Sequence, residues 1–445
     1  MDKHYLTPLF QPDTIAVFTG SSGESGGQTP QARALMDALR AQRFAGTLVF
    51  LDVHTTGTLA DLAQTRADLA IIALPPEDAI EALEVAGRIK CRAALVIGSG
   101  TPPDLAATMH RTAKRHGMHL LGPNSLGYQR PQRLLNASVA GPLAAAGSLA
   151  LVSQSGALTA SILDWSSQNA VGFSTVVSLG PNTSVDIAQV LDFLASDAQT
   201  HSIVVYMEGI SSARRFMSAL RAAANAKPVI VLKAGRKQAG NEAAQTHSGA
   251  IVGSDDVFDA ALRRAGAVRV RSFVELFSAS KCLASRYRPV GKRLAIVTNG
   301  GGPGVLAADW VSEISLELGK LAPETIASLK PLLPALASLN DLIDLSEEAT
   351  AEHYRAAIDA AGHDKTVDGV LVVHSPKSGI DAADVARAMA ELKPRLGKPL
   401  LCCWMGDASV GEARTVLATA NIPSFRTPEA AVGAFGNIAS FYQNQ

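Results

Sequence analysis

At 445 residues the chain exceeds what one hydrophobic core holds, so more than one domain is expected. Its 40 basic and 40 acidic residues cancel, which excludes a net field that would draw it to nucleic acid or to an anionic membrane. The start, Met1-Asp-Lys-His-Tyr5, lacks a signal-peptide pattern and no apolar run approaches the ~20 residues that span a bilayer, so a cytoplasmic protein is expected.

In chain order, an apolar strand, a turn of small residues and a helix recur three times. Thr14-Ile-Ala-Val-Phe18 runs into Gly20-Ser-Ser-Gly-Glu-Ser-Gly-Gly27, followed by a helical pattern through Ala32, Leu35, Met36 and Leu39. Ser148-Leu-Ala-Leu-Val152 runs into Ser153-Gln-Ser-Gly156 and a helix through Leu158, Ile162 and Trp165. Arg293-Leu-Ala-Ile-Val-Thr298 runs into Asn299-Gly-Gly-Gly-Pro-Gly304 and a helix through Leu306, Ala307 and Trp310. The three starts lie a domain length apart. Joints at Ala144–Gly147 and Arg288–Gly291 predict domains over 1–144, 147–288 and 291–445. Between the starts, short apolar runs such as Ala70–Leu74, Ile203–Tyr206, Val229–Leu232 and Leu400–Trp404 alternate with amphipathic helices. Strands of that kind are covered on both faces, and the alternation implies α/β architecture with doubly wound parallel sheets. Ligands in such folds gather at the carboxyl ends of the strands, where these turns lie.

The four cysteines, Cys91, Cys282, Cys402 and Cys403, lack metal-ligand spacing and read as reduced thiols. The histidines show no pairing at ligand spacing, so no metal site is expected. The first turn is Gly-x-x-Gly-x-x-Gly from Gly20 to Gly26, not the dinucleotide spacing, yet it presents backbone amides to a phosphate; Asp52 after the second strand is the ribose candidate if the ligand is NAD. The second turn combines the hydroxyls of Ser153 and Ser155 with the free amides of a helix start at Gly156, a setting for a phosphoryl group. Ser155 is not read as a nucleophile, because Ser153 stands where a nucleophile elbow needs glycine. The third turn, Gly300–Gly304, calls for close backbone approach or positive φ.

His247, in Gln245-Thr-His-Ser-Gly-Ala-Ile-Val-Gly253, is a loop histidine with room beside it for a larger group. Glu208 directly follows an apolar strand, so its carboxylate points to the same sheet edge. A carboxylate bonded to one imidazole nitrogen fixes the tautomer and makes the other nitrogen the better nucleophile. Lys233 and Arg236, before the His247 loop, either hold phosphate or position that loop.

Taken together, Gly122-Pro-Asn-Ser-Leu-Gly127, Val152–Ala157, Glu208-Gly209, Lys233-Ala-Gly-Arg236, the His247 loop with Gly253–Asp259, and Thr298–Gly304 resemble the α-subunits of NDP-forming acyl-CoA synthetases, a group similar to the succinyl-CoA synthetase α-subunit. The resemblance runs from about Pro12 to about Ile438. It implies a Rossmann-like CoA-binding domain followed by two flavodoxin-like domains. It makes His247 the phosphorylated residue and Glu208 its partner, with Ser153, Ser155, Gly156, Ser248 and Gly249 around the phosphate. Gly20, Ser21, Ser22, Gly26, Ser99 and Asn124 would meet CoA. ATP or ADP, with Mg, would be bound through a separate ATP-grasp β-subunit in a hetero- or homo-oligomer, and the substrates would be CoA and a small carboxylic acid. The sequence departs from the group at Thr246-His-Ser-Gly249, at the lengthened Gly20 turn, and at Asn340-Asp-Leu-Ile-Asp344. Two further expectations differ in class. Leu163-Asp-Trp165 and Ser212–Phe216 resemble the front of bacterial protein lysine acetyltransferases, which implies a non-catalytic acyl-CoA-binding regulatory module. A nicotinamide-dependent oxidoreductase would instead use the Gly20 turn and Asp52.

Overall fold

The computed structural model describes residues 4–20, 29–51, 66–169, 171–180, 184–248, 254–283 and 290–444, with only the backbone of 243, 245–248 and 281. They fall into two compact units, Met1–Ala267 and Val268–Gln445.

The first unit opens with a short helix α1 (Thr7–Phe10). It continues through β1 (Thr14–Phe18), α2 (Pro30–Arg40), β2 (Thr47–Leu51), β3 (Leu69–Ile72), α3 (Pro76–Arg88), β4 (Ala93–Ile97), α4 (Pro103–Arg115) and β5 (His119–Ser125). The strands are parallel in the order β2-β1-β3-β4-β5. Every residue of β3 and β4 is buried, as continuous apolar runs under helices on both faces require. Helix α2 starts where the Thr29 hydroxyl accepts from the Ala32 amide and Pro30 fills the first helical position; its 3.6-residue period then turns Ala32, Leu35 and Leu39 inward.

A second sheet follows. The antiparallel pair β6 (Gly127–Arg130) and β7 (Leu135–Ser138) forms one edge. The chain then alternates through β8 (Ala146–Ser153), α5 (Gly156–Gln168), β9 (Phe173–Ser178), α6 (Ile187–Ser196), β10 (Ser202–Met207), α7 (Ala213–Ala226), β11 (Val229–Lys233), α8 (Gln238–Ser248) and α9 (Asp255–Arg264). The strands of this unit lie in the order β11-β10-β8-β9-β6-β7, with β8 to β11 parallel. One hydrophobic cluster runs through both sheets, from Ile15 and Leu95 to Val205 and Val231. The amino-terminal segment is inserted into that cluster, with Leu6, Leu9 and Phe10 fully buried. The Phe10 ring lies 5.4 Å from Tyr128 and 4.9 Å from Phe193 between centroids. The Tyr128 hydroxyl donates to the Leu9 carbonyl at 2.5 Å, and His4 Nε2 meets Asp192 Oδ2 at 3.1 Å. Burial of each such large apolar side chain contributes roughly 1.5–3 kcal/mol.

At the end of β6, Arg130 is buried and meets the buried Asp197 through Nη1 at 2.9 Å and Nη2 at 3.3 Å. Thr175 and Gln199 accept further bonds from the same guanidinium, and Thr200 donates to the carboxylate. Burial pushes the Asp197 carboxyl up, but the bonds and charge of Arg130, with help from Thr200 and Lys227, outweigh it and hold the carboxyl below its usual range.

The second unit runs through β12 (Val268–Val270), α10 (Phe273–Leu283), β13 (Arg293–Thr298), α11 (Gly301–Glu313), β14 (Glu317–Leu318), α12 (Pro323–Leu329), β15 (Ile343–Asp344), α13 (Ala351–His363), β16 (Gly369–His374), α14 (Ala382–Leu396), β17 (Leu400–Trp404), α15 (Gly411–Thr419), β18 (Ser424–Phe425) and α16 (Pro428–Asn444). Its parallel sheet has the order β14-β13-β16-β17-β18, with β15 also on β13. Helix α16 packs against α10 and α11.

The expected α/β architecture and strands are present. Of the expected joints, Ala144–Gly147 leads into β8, and Arg288–Gly291 begins among residues outside the described ones. Helix α11 turns Ala307 inward as expected, with Val311 beside it, but leaves the expected Leu306 and Trp310 exposed. It is apolar almost all round, so periodicity alone does not select the buried side.

Candidate functional site

Both sheets of the first unit use the same connection rule, and it places the candidate residues. In the first, β1 has β2 on one side and β3 on the other, so the crossovers leaving it diverge and open a crevice at its carboxyl end. Gly20 sits there at φ +77°, a conformation that L side chains rarely adopt. On the same edge, Asn124 Oδ1 accepts from the Thr101 amide at 2.9 Å and so holds the loop carrying the exposed Ser99. Gly180 reaches this corner from the second sheet at φ +72°, where a Cβ would lie 1.9 Å from the Asn124 carbonyl oxygen. Positive φ at Gly20, an exposed serine and an anchored loop are features that a phosphate-bearing ligand such as CoA fits. Ser21, Ser22, Gly26 and Asp52 lie outside the described residues.

In the second sheet the divergence falls between β8 and β10, whose register sets Tyr206 opposite Ser153. The turns after these two strands are therefore neighbours: Ser153–Gly156 on one side, Glu208-Gly209 on the other. Gln154 joins them. Its Oε1 accepts from the Glu208 amide at 2.6 Å and the Gly209 amide at 3.2 Å, and its Nε2 donates to the Gly209 carbonyl at 3.0 Å. Ser155 caps α5, its hydroxyl accepting from the Leu158 amide at 3.3 Å. Ser153 is fully buried; its hydroxyl donates to the Ser155 carbonyl and accepts from the Ser155 amide. That hydroxyl thus shapes the turn from within, while Ser155 and Gly156 form its rim.

Glu208 is buried, with 8% of its surface exposed, and its Oε1 accepts from the Tyr206 hydroxyl at 3.4 Å. Burial, and then the charge of Glu208, push that phenol up to about 12, so it stays a donor at neutral pH. Gln154 and Tyr206 are contributors that belong to none of the candidate residues read from the sequence. The signal for Gln154 was its place between the two serines; the signal for Tyr206 was its spacing two residues before Glu208, which returns its side chain to the same face.

His247 and Ser248 fall in the last turn of α8, not in a loop, and their side chains are outside the described part, as is Gly249 altogether. The glycines around His247 suggested a loop, but Gln238–Gln245 is rich in alanine, glutamine and glutamate, which carry the helix forward. Lys233 ends β11 with only 3% of its surface exposed. Its Nζ donates to the Ala234 carbonyl at 2.8 Å and lies 5.3 Å from the centre of the Phe258 ring in α9. Arg236 Nε approaches Asp255 Oδ2 at 3.9 Å. Both cations therefore fasten the start of α9 to the end of β11 and the turn that follows it.

In the second unit the same divergence falls between β13 and β16. The fully buried Asn299 bridges it, donating to the Ser375 carbonyl and accepting from the Ser375 amide, each at 2.9 Å. None of the glycines between Gly300 and Gly304 has positive φ; Gly304 answers to close approach, since a Cβ there would lie 3.0 Å from Thr298 Cγ2. Among the described residues there is no cluster of three or more His, Cys, Asp or Glu that could hold a metal ion, and no helix is long and apolar enough to cross a membrane.

Residues 146–283 match the succinyl-CoA ligase like flavodoxin domain. The chain is 32% identical to the α-subunit of acetate–CoA ligase (ADP-forming) I from Pyrococcus furiosus, over 97% of both chains. It is 34% identical to acetate–CoA ligase (ADP-forming) I from Archaeoglobus fulgidus, matching over 97% of its own length but spanning only 63% of that protein. Among solved structures, the dinucleotide-forming acetyl-coenzyme A synthetase 1 of Ca. Korarchaeum cryptofilum, in complex with phosphate and ADP, superposes with a TM-score of 0.91 at 28% identity, covering 99% of this chain and 97% of that one. The α/β fold, with these matches, makes this a CoA-ligase-type protein. More narrowly, the chain belongs to the family of ADP-forming acyl-CoA synthetase α-subunits. These relatives do not favour the regulatory-module reading.

Proposed function

We propose that the chain is the α-subunit of an acyl-CoA synthetase that makes a thioester from a carboxylic acid, CoA and ATP in the cytoplasm. The observation that carries this reading is the junction of the Ser153–Gly156 and Glu208-Gly209 turns through Gln154, in a chain that matches an ADP-forming ligase α-subunit end to end. Three functional parts are proposed with it: 1–144 for CoA, 147–288 for the phosphorylated histidine, and 291–445 as a second flavodoxin-like part.

In this reading His247 attacks the terminal phosphoryl group of ATP, which leaves as ADP, and then passes the phosphoryl group to the substrate carboxylate. The thiol of CoA attacks the resulting acyl phosphate at its carbonyl carbon and expels inorganic phosphate. Splitting the transfer through a covalent phosphohistidine replaces one difficult displacement by two easier ones. Glu208 accepts a hydrogen bond from one imidazole nitrogen and leaves the other as the nucleophile. The amides at Ser155 and Gly156, with the start of α5 and with Ser248 and Gly249, stabilise the phosphate oxygens, and Ser153 keeps the turn in shape. Gly20, Ser21, Ser22, Gly26, Ser99 and Asn124 hold CoA. ATP and its Mg are bound on an ATP-grasp partner subunit, so the active species is a hetero-oligomer.

The test is to reconstitute the chain with such a partner, ATP, CoA and acetate. His247→Ala should abolish both 32P incorporation into this chain and thioester formation, and Glu208→Gln should slow both. Thioester synthesis by the His247→Ala complex at the wild-type rate would refute the relay.

A further inference from the structure

The first unit carries a cleft of about 560 Å³ away from the Gly20 turn. One wall is α4, with Arg111 and Lys114; the floor is the start of β5 at His119; the other wall is the Ser184–Gln189 segment that begins α6, joined by Arg215 of α7. The sheet register fixes its distance from the Gly20 turn. His119 stands opposite Ala93, Ala93 opposite Leu69, and Leu69 opposite Ile15, so the cleft opens at the amino edge of a sheet whose carboxyl edge carries Gly20.

Its charge is one-sided. No carboxylate lines it. Among the described residues neither Arg111 nor Lys114 has an acidic partner, and Arg111 is oriented by donating to the Thr108 hydroxyl at 2.8 Å. Arg215 is fixed by Asp186 at 2.9 Å, and that carboxylate is already engaged in capping α6 through the Gln189 amide. The walls are tied by a bond from the Val185 amide to the Leu120 carbonyl at 3.0 Å. Two cations without an acidic partner beside an anchored third, with the Ser184 hydroxyl opposite, offer the kind of donors that phosphate oxygens require. A planar guanidinium binds two oxygens at once and an ammonium supplies a point charge. The volume is that of a small-molecule site.

We propose that this cleft binds a small polyphosphate anion, of the pyrophosphate class, independently of the Ser155 turn. The test is calorimetric titration of inorganic pyrophosphate into the full chain, at constant ionic strength maintained with potassium chloride. Wild type and Ser155→Ala should each bind one pyrophosphate at this site with the same affinity. The double variant Arg111→Ala/Lys114→Ala, whose changed side chains are exposed and whose fold is checked by circular dichroism, should bind at least tenfold more weakly. Hydrogen exchange should show protection of α4 on binding in the wild type and in Ser155→Ala, but not in the double variant. Undetectable binding to wild type, equal binding by the double variant, or loss of binding on Ser155→Ala would each overturn the proposal.

Discussion

Replacing Gln154 with methionine tests the joint between the two turns while keeping the length and most of the volume of the side chain. Three hydrogen bonds disappear: those from the Glu208 and Gly209 amides, at 2.6 and 3.2 Å, and the one to the Gly209 carbonyl at 3.0 Å. Because Glu208 is buried, its amide is left without an acceptor in a place water enters poorly, and such a group costs about 1–3 kcal/mol. Taking about 2 kcal/mol for the site, the Glu208 amide should exchange with solvent roughly 30-fold faster than in the wild type. The assay is residue-resolved hydrogen exchange under native conditions, with Gln154→Glu as a companion that keeps an acceptor and should retain part of the protection. The phosphorylated fraction of the chain should fall in Gln154→Met, since Glu208 loses its fixed place. Unchanged protection of the Glu208 and Gly209 amides in Gln154→Met would refute the reasoning.

Arg130→Met should lower the stability of the first unit by about 3–5 kcal/mol in urea unfolding, because it leaves Asp197 buried without its cation; Arg130→Met/Asp197→Leu should recover much of that loss. In the second unit, burial pushes the Asp364 carboxyl up, but the Thr366 hydroxyl and the Thr366 and Ala322 amides outweigh it and bring it down to about 2. Its folded pKa is therefore below the unfolded one, so its contribution is complete above about pH 4 and is lost as the pH falls toward about 2. Asp364→Asn should flatten the acid limb of the stability profile followed by circular dichroism. Gly180→Ala should cost at least about 2 kcal/mol, from the left-handed backbone and the collision with Asn124, read as a lower urea midpoint at unchanged slope.

Strand and turn chemistry was legible because it depends on short sequence. The runs ending at Phe18, Val152 and Thr298 are apolar throughout and are followed by small residues, and each forms the central strand at which its sheet's crossovers diverge. Glu208 was legible for the same reason, as a carboxylate directly after such a run. What escaped was pairwise. Gln154 matters because β8 and β10 are neighbours in space though distant in sequence, and no local pattern announces that its amide spans the gap. Lys233 was read as either a phosphate ligand or a positioning residue; its burial against Phe258 is a tertiary fact that its place at a strand end did not announce. The helix through His247 was hidden by glycines on both sides, although the intervening residues favour it.

The plug at the amino terminus bears on how the first unit is built during synthesis. Leu6, Leu9 and Phe10 are synthesised before Tyr128 and Phe193, which cover Phe10 and follow it by more than a hundred residues. Until then three large apolar side chains have no finished cavity to occupy. A fragment ending before β8 would display that unfilled surface permanently and aggregate.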